Sequence, residues 1–502
     1  MFEKKKIEEI SSSMVSSSLQ RHKPINKDMI SNLPDNVLIH ILSFLSTKNA
    51  IKTSILSTKW RHLWTYLSVF DFRISYPFRS YSLLYTVATL VHKSNHHHHH
   101  LLEINRLTIH VPQVTLGAHK VTSLVTSLLS LKVQHLQFSI DDLNYLNTSC
   151  VLPRGFSASY SLSKLKLNLG GYTLYISNAI QFPSLKTLDL SYATFANDES
   201  VEEFFAGCPL LQELTLNNCY WLYIKQITIA ISTLRILTIS FDPYCLNCVD
   251  CEKFSVKIDA VNLLSLTCTS DPTIPFVIVN PPTSMLDAYI AFSLHLPFTP
   301  FNYWTYLKDE EYVSHCAAVL LSGLASVKSL TLSNGTFMES PNGNDHFHLL
   351  PEFANLTHLY LDSEICPFSR TSFTKFILKC PKLEVLVFPL GIRRFRQNDN
   401  QGWKLIPVPC CIKSSLKKLH ITNFDGYTSE INFVDFFLEN ATGLEEFQIS
   451  LSCTPTISIY NSKNLADLKN RFVGMGSCDI KFRSAEPVIR RHMPCRKCFK
   501  RF

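Results

Sequence analysis

One spacing of apolar positions recurs along most of this chain: apolar, two residues, apolar, one residue, apolar. It reads Ile104/Leu107/Ile109, Val133/Leu136/Phe138, Leu162/Leu165/Leu167 and Leu185/Leu188/Leu190, then Leu211/Leu214/Leu216, Leu234/Leu237/Ile239 and Leu263/Leu266/Cys268. A degenerate copy at Met285/Ala288/Ile290 precedes Val327/Leu330/Leu332, Leu356/Leu359/Leu361, Leu383/Leu386/Phe388, Leu416/Leu419/Ile421 and Leu444/Phe447/Ile449. Most copies follow one another at roughly 23–29 residues, a repeat-length period. The last two apolar residues of each triad are two apart, so both point the same way from a strand. The pattern predicts stacked strands in a parallel sheet. The segments between them are predicted to return as short helices on the outside, for example residues 201–205 before Cys208-Pro209 and 373–378 before Cys380-Pro381. No single repeat could bury its apolar face alone, so the array must fold as a stack, a solenoid.

Ahead of the array the period changes. From Asp28 to Phe72, Val37, Leu38, Ile41, Leu42 and Leu45 recur at helical spacing. Asn32 or Asp35 can cap this helix, and Pro34 suits its first turn. Ser46-Thr47 is placed to cap a second helix carrying Ala50, Ile51, Ile55 and Leu56, and Ser57-Thr58 a third carrying Trp60, Leu63 and Trp64. Ile39 and Phe44 lie off the first stripe, and so short a segment cannot bury all of this apolar surface by itself. It calls for a partner. The segment resembles a plant-type F-box, on Leu33-Pro34, the run Ile41-Leu42-Ser43-Phe44-Leu45, Thr53-Ser54-Ile55-Leu56-Ser57 and Trp60-Arg61-His62-Leu63-Trp64. The resemblance implies docking on a Skp-type adaptor, which joins the chain to a cullin ubiquitin ligase. It points to Leu33, Pro34, Leu38, Ile41, Leu42, Leu45 and Trp60, divided between adaptor contact and the helical core.

A second resemblance lies near the other end. Val408-Pro409-Cys410-Cys411, Ser414-Ser415-Leu416-Lys417, Phe424-Asp425-Gly426 and the stretch from Glu430 to Ala441 look like the FBD module. Physically this reads as one more strand, a turn at Gly426, a helix ending near Asn440 and a final strand at Leu444–Leu451, closing the open edge of the stack. The irregular repeat spacing is also similar to that of plant F-box proteins with leucine-rich repeats. The expected architecture is therefore α/β: a short N-terminal three-helix F-box, an irregular leucine-rich-repeat solenoid and a C-terminal FBD-like cap. The expected divisions are a disordered basic, Ser-rich tail (1–24), the F-box (25–72), a connector (73–103), the repeats (104–400), the FBD-like cap (401–475) and a basic tail (476–502). The connector carries a helix around Leu83–Val91 and the run His96–His100.

Composition narrows the function. With 46% apolar and 18% charged residues, the 502-residue chain is globular. Its 16 cysteines form no compact framework and no apolar leader opens the chain, which points to reduced thiols in the nucleus or cytoplasm. The net charge of +8 sits at the ends: residues 1–27 carry +3 and residues 479–502 carry +6, leaving the body near −1. A nucleic-acid reader would need a basic face on its folded body. No GxSxG, P-loop, dinucleotide or HExxH motif is present, so no catalytic role and no cofactor is expected. Five consecutive histidines cannot converge on one ion. Cys245, Cys248 and Cys251 lie far from Cys495 and Cys498, so neither run completes a zinc set alone.

Residues between and just after the triad leucines face away from the predicted core. Arg106, His110, His135, Lys164, Lys166, Asp189, Glu213, His358 and Tyr360 are the candidates for target contact. Their mixed chemistry suits protein recognition by many modest contacts. Some similar F-box solenoids act as small-molecule co-receptors with a bound inositol phosphate, which needs several converging cations. Here Lys164 and Lys166 share a strand, Arg106 lies two strands away and Lys418 far along the array. The function implied is the substrate-recognition subunit of an SCF-type ubiquitin ligase. The alternatives are an adaptor-independent repeat scaffold and a small-molecule co-receptor.

Overall fold

The computed structural model describes residues 30–73, 104–112, 118–141, 149–151, 160–170, 173–175, 181–195, 198–221, 224–241, 254–270, 274–292, 310–333, 346–362, 370–392, 407–424, 426, 428–451 and 480–483. The predicted N-terminal tail, the connector helix, the His96–His100 run and both cysteine runs lie outside these residues. The chain divides into two compact units, with the boundary at Phe72/Arg73.

The first unit is built from helices α1 (Asp35–Ser43) and α2 (Thr47–Lys52), two 3-10 segments (Thr53–Ile55 and Trp60–Tyr66) and a strand, β1 (Val69–Arg73). Capping differs from expectation at two of three starts. At α1, Pro34 occupies the cap without a side-chain hydrogen bond. Asp35 is the first helical residue instead, its carboxylate at the positive end of the helix and 3.4 Å from Lys59. At α2, Ser46 caps as predicted, accepting from the Asn49 N–H at 3.4 Å. The third helix is 3-10 and has no side-chain cap; the Ser57 hydroxyl lies 3.4 Å from that of Ser31 instead. The core is Leu38, Leu42, Ala50, Trp60, Leu63, Trp64 and Phe70. Phe70 meets Trp64 edge to face at 6.3 Å.

In the second unit every triad forms a strand of one long parallel sheet. Its first members are β2 (Ile104–Pro112) and β3 (Val133–Asp141). With β4 (Ser149–Val151) leaving the sheet, β5 (Lys164–Asn168) follows β3, and with β6 (Thr173–Tyr175) leaving it, β7 (Thr187–Ser191) follows β5. After the short β8 (Thr194–Phe195) and helix α4 (Asp198–Ala206) comes β9 (Glu213–Asn217); a preceding helix, α3 (Ala118–Leu129), joins β2 to β3. Beyond β10 (Tyr220–Trp221) and β11 (Gln226–Ala230), the sheet continues with β12 (Ile236–Ser240). β13 (Ser255–Asp259) leads to β14 (Ser265–Ser270), and β15 (Phe276–Ile278) to β16 (Asp287–Phe292). Helix α5 (Glu310–Ser322) precedes β17 (Ser329–Ser333), which pairs with β18 (His358–Asp362). Then come α6 (Arg370–Leu378) and β19 (Val385–Phe388), α7 (Cys410–Ser414) and β20 (Lys418–Phe424), and α8 (Thr428–Asn440) and β21 (Glu446–Leu451).

The triads are in register. Leu107, Leu136, Leu165, Leu188, Leu214, Leu237 and Leu266 are successive partners and all are buried. Ala288 continues the row between Leu266 and Leu330, so the degenerate copy is a full member of the stack. One hydrogen-bond device recurs. The carbonyl just before a strand accepts from the first N–H of the next strand and from the N–H before it, as Lys186 does from Gln212 and Glu213, and Glu384 from Lys417 and Lys418. The same contact joins the Ser163 carbonyl to Lys186 and Thr187, and the Lys328 carbonyl to Thr357 and His358.

Two expectations need correction. The return segments are not all helices. β4, β6, β8 and β10 pair in a second parallel sheet, and β11, β13 and β15 in a third. Their residues alternate with period two, as in buried Ile227/Ile229 and Val256/Ile258 between more exposed neighbours, which suits a short strand and not a helix. Phe195, Trp221 and Phe254 stack between these returns, with centroids 4.6 Å and 6.2 Å apart. Nor is Leu444–Leu451 the last strand: β22 (Ile480–Arg483) pairs with β21 beyond it. Lys481 and Arg483 are exposed on this added strand, as charges on an edge strand commonly are. Among the described residues no helix is long and apolar enough to cross a membrane.

Candidate interaction surfaces

The first unit leaves apolar side chains in solvent. The α1 stripe divides lengthwise: Leu38 and Leu42 are fully buried, whereas Val37, Ile41 and Leu45 are exposed. Phe44 at the end of α1 is 78% exposed, and Ile55 and Leu56 are 86% and 64% exposed. Of the seven adaptor candidates, Leu38, Leu42 and Trp60 therefore belong to the unit's own core, Pro34, Ile41 and Leu45 face solvent, and Leu33 is half-buried. The Leu33-Pro34 turn is pinned from below: Lys59 Nζ donates to the Leu33 carbonyl at 2.6 Å, and Trp60 Nε1 donates to Ser31 Oγ at 2.9 Å. Phe44, Ile55 and Leu56, outside the candidate set, are the most exposed large apolar side chains among the described residues of this unit. The sequence placed Phe44 off the helical stripe and gave no sign of the exposure of Ile55 and Leu56.

The second unit presents the reverse chemistry: an exposed strand face that is polar and ordered in rows. One row runs Arg106, His135, Lys164, Thr187, Glu213, Ile236, Ser265, Asp287, Ser329 and His358, each the register partner of the next. The neighbouring row runs Thr108, Gln137, Lys166, Asp189, Thr215, Thr238, Thr267, Tyr289, Thr331 and Tyr360. The nine candidates for target contact all lie on this face. His110 opens a third row and shares a hydrogen bond with Ser139 at 2.7 Å.

Many of these groups satisfy one another. Lys166 pairs with Asp189 at 2.6 Å. Glu213 accepts from the Thr187 hydroxyl at 3.2 Å, and Asp287 from that of Ser265 at 2.6 Å. Far along the sheet Glu446 gathers Lys418 at 3.2 Å, His420 at 3.7 Å and Lys481 at 3.9 Å, and its hydrogen bond from Lys418 holds its carboxyl below the usual range. Burial pushes the His420 imidazole down despite Glu446 beside it. The Tyr289 phenol is pushed up, chiefly by burial and then by the Asp362 carboxylate. Among the described residues no group of three or more metal-ligating side chains converges.

Three families match this chain: the F-box domain over residues 30–72, the FBD over residues 405–449, and the LRR repeats of FBD-associated F-box protein At5g56370 over residues 121–277. F-box/FBD/LRR-repeat protein At5g22660 of Arabidopsis thaliana is 27% identical over 431 residues, covering 85% of this chain and 90% of that protein. FBD-associated F-box protein At4g13985 of the same plant is 28% identical, over 84% of this chain and 90% of its own length. F-box/LRR-repeat protein At3g59200, also from Arabidopsis thaliana, is 28% identical over 85% of this chain and 82% of its own length.

Proposed function

We propose that this chain, a plant-type F-box/FBD/LRR-repeat protein, is the substrate-recognition subunit of an SCF-type ubiquitin ligase. Proteins built from an F-box and leucine-rich repeats serve generally as non-catalytic adaptors of such ligases. In this reading the F-box docks on a Skp-type adaptor and, through it, a cullin, while the repeats form a solenoid whose exposed strand face holds the target. The FBD region with β22 closes the far edge of the stack. Ubiquitin transfer is then accelerated by the raised effective concentration of target near the ligase core, and the chemistry belongs to other subunits. A nuclear or cytoplasmic location accords with this role.

The observation that carries the reading is the exposure of five large apolar side chains, Ile41, Phe44, Leu45, Ile55 and Leu56, within a segment matched as an F-box. Single exposed apolar residues are ordinary; this many on so small a unit call for a partner. The test is capture of a purified plant Skp-type adaptor by the full chain, beside a Leu33→Ala/Pro34→Ala variant. Capture that the variant loses supports the ligase role. No capture by folded wild-type chain overturns it and leaves an adaptor-independent repeat scaffold.

A further inference from the structure

The turn that leads into α1 has little of its own to hold it. Inside it the Leu33 N–H donates to the Ile30 carbonyl at 3.1 Å. Pro34 brings no N–H and no side-chain cap. The N–H groups of Val37 and Leu38 both turn to the Pro34 carbonyl, so the Leu33 carbonyl stands outside the helix's own ladder. Ile30 and Pro34 are exposed, so apolar burial adds little. The turn is held instead by residues 57–60, far along the chain. Ser57 Oγ lies 3.4 Å from Ser31 Oγ, and Trp60 Nε1 donates to Ser31 Oγ at 2.9 Å. Between these two residues, Lys59 Nζ donates to the Leu33 carbonyl at 2.6 Å and lies 3.4 Å from the Asp35 carboxylate.

These contacts are not equal. At 3.4 Å the two serine hydroxyls are beyond the usual range of a hydroxyl hydrogen bond. Trp60 is buried in the unit's core, and the packing of its ring fixes Nε1 whether or not the turn is in place. The Asp35 side chain is 64% exposed, and an ion pair so open to water contributes little. The bond to the Leu33 carbonyl is short and charge-assisted, and it fastens the backbone of the residue next to Pro34 itself. We infer that Lys59 is a positioning residue for adaptor docking, one that holds the Leu33-Pro34 turn in the conformation the adaptor meets. This inference rests on the reading of the segment as an adaptor-docking F-box, and it adds a residue to which the family resemblance did not point. Lys59 acts through the turn and not by touching the adaptor. Without its ammonium the Ser31 contacts secure one end of the turn, and Leu33 and Pro34 sample other conformations. The apparent Kd then rises as the reciprocal of the held population, so a fall to about one tenth weakens capture about ten-fold.

The test uses the full chain, a purified plant Skp-type adaptor and three variants, Lys59→Met, Lys59→Arg and Asp35→Asn. Titration calorimetry gives Kd, thermal melts report the fold, and hydrogen–deuterium exchange of the free chain reports the turn. Lys59→Met is expected to weaken capture about ten-fold with an unchanged melting temperature, and to exchange faster at residues 31–33. Lys59→Arg, which keeps a charged donor, and Asp35→Asn, which removes only the ion pair, are expected to stay within about three-fold of wild type. Equal capture by wild type and Lys59→Met overturns the inference. So does weakened capture with unchanged exchange, which makes Lys59 a direct adaptor contact. A loss in Asp35→Asn as large as in Lys59→Met assigns the effect to the ion pair, and a fall in melting temperature that accounts for the lost capture makes Lys59 a folding residue; either result overturns the positioning role. Failure of capture by folded wild-type chain is a separate result, counting against the ligase reading. The exchange measurement, made without adaptor, tests the hold of Lys59 on the turn in either case.

Discussion

The exposed apolar side chains of the first unit make a quantitative claim. Ile55 and Leu56 are 86% and 64% exposed, so truncating them removes almost no packing within the free chain. Ile55→Ala/Leu56→Ala is therefore expected to change stability by no more than about 0.5 kcal/mol, as at ordinary surface positions. If adaptor docking buries both side chains, each contributes about 1.5–3 kcal/mol relative to exposure, and alanine retains part of that. The expected loss for the pair is about 2–4 kcal/mol, or roughly 30- to 700-fold in Kd. Leu42→Ala supplies the contrast. Leu42 is fully buried, so its truncation costs about 2–5 kcal/mol of folding free energy and weakens capture only by unfolding the unit. The assay pairs titration calorimetry against a purified Skp-type adaptor with thermal melts followed by circular dichroism. A Kd within about threefold of wild type for a folded Ile55→Ala/Leu56→Ala chain refutes the reasoning, since adaptor docking would then not bury these two side chains.

Four further outcomes follow from the second unit. Leu188→Ala or Leu214→Ala, both fully buried in the continuous leucine row, should destabilise it by about 2–5 kcal/mol in chemical denaturation. Gly391 has φ +90° and an added Cβ would lie 2.8 Å from the Thr422 carbonyl, so Gly391→Ala should cost about 1–3 kcal/mol in the same assay. His135 and His420 have pKa values lowered from 6.5, so the folded state binds fewer protons than the unfolded one; melting temperature should fall as pH drops through that value, less steeply in His135→Asn/His420→Asn. Glu446, lowered from 4.5, adds a second loss below that pH as it protonates. Burial pushes the Cys208 thiol up to about 12, so at neutral pH it should stay unlabelled by a thiol reagent until the chain is denatured.

The long sheet was readable because its signal is local. A triad places Leu188 and Leu190 on one side of one strand whatever the rest of the chain does. The return segments were not readable in the same way. Thr194-Phe195 and Tyr220-Trp221 are too short to show a period, and a short apolar run is compatible with helix or strand until its neighbour across the stack is known. β22 was hidden for a related reason: Ile480-Lys481-Phe482-Arg483 alternates over one strand only, inside a stretch dominated by positive charge. In the first unit, the helical period identified α1 but could not separate Leu38 and Leu42 from Val37, Ile41 and Leu45. Val37-Leu38 and Ile41-Leu42 each straddle the boundary of the buried face, and the choice within each pair depends on the packing of the Trp60–Tyr66 segment on α1, some twenty residues further on.

The same distinction between local and long-range information governs the two surfaces. That the strand face is polar follows from alternation alone. Which charges remain unmatched on it depends on register between residues about one repeat apart, a property of the stack and not of any segment. Lys164 and Lys166 look equivalent in sequence, two cations on one strand. Register puts Asp189 beside Lys166 and Thr187 beside Lys164, so one is neutralised and the other is left beside His135 and Arg106. The two units thus expose opposite chemistries, apolar on the first and charged or hydroxylic on the second. Such surfaces should respond to different perturbations. Salt weakens the contacts of exposed charges through screening and leaves apolar burial largely intact or strengthens it. Raising ionic strength should therefore release a target held by the exposed charges of the strand face while the chain stays on its adaptor. If both partners leave together, the division of labour between the two surfaces is wrong.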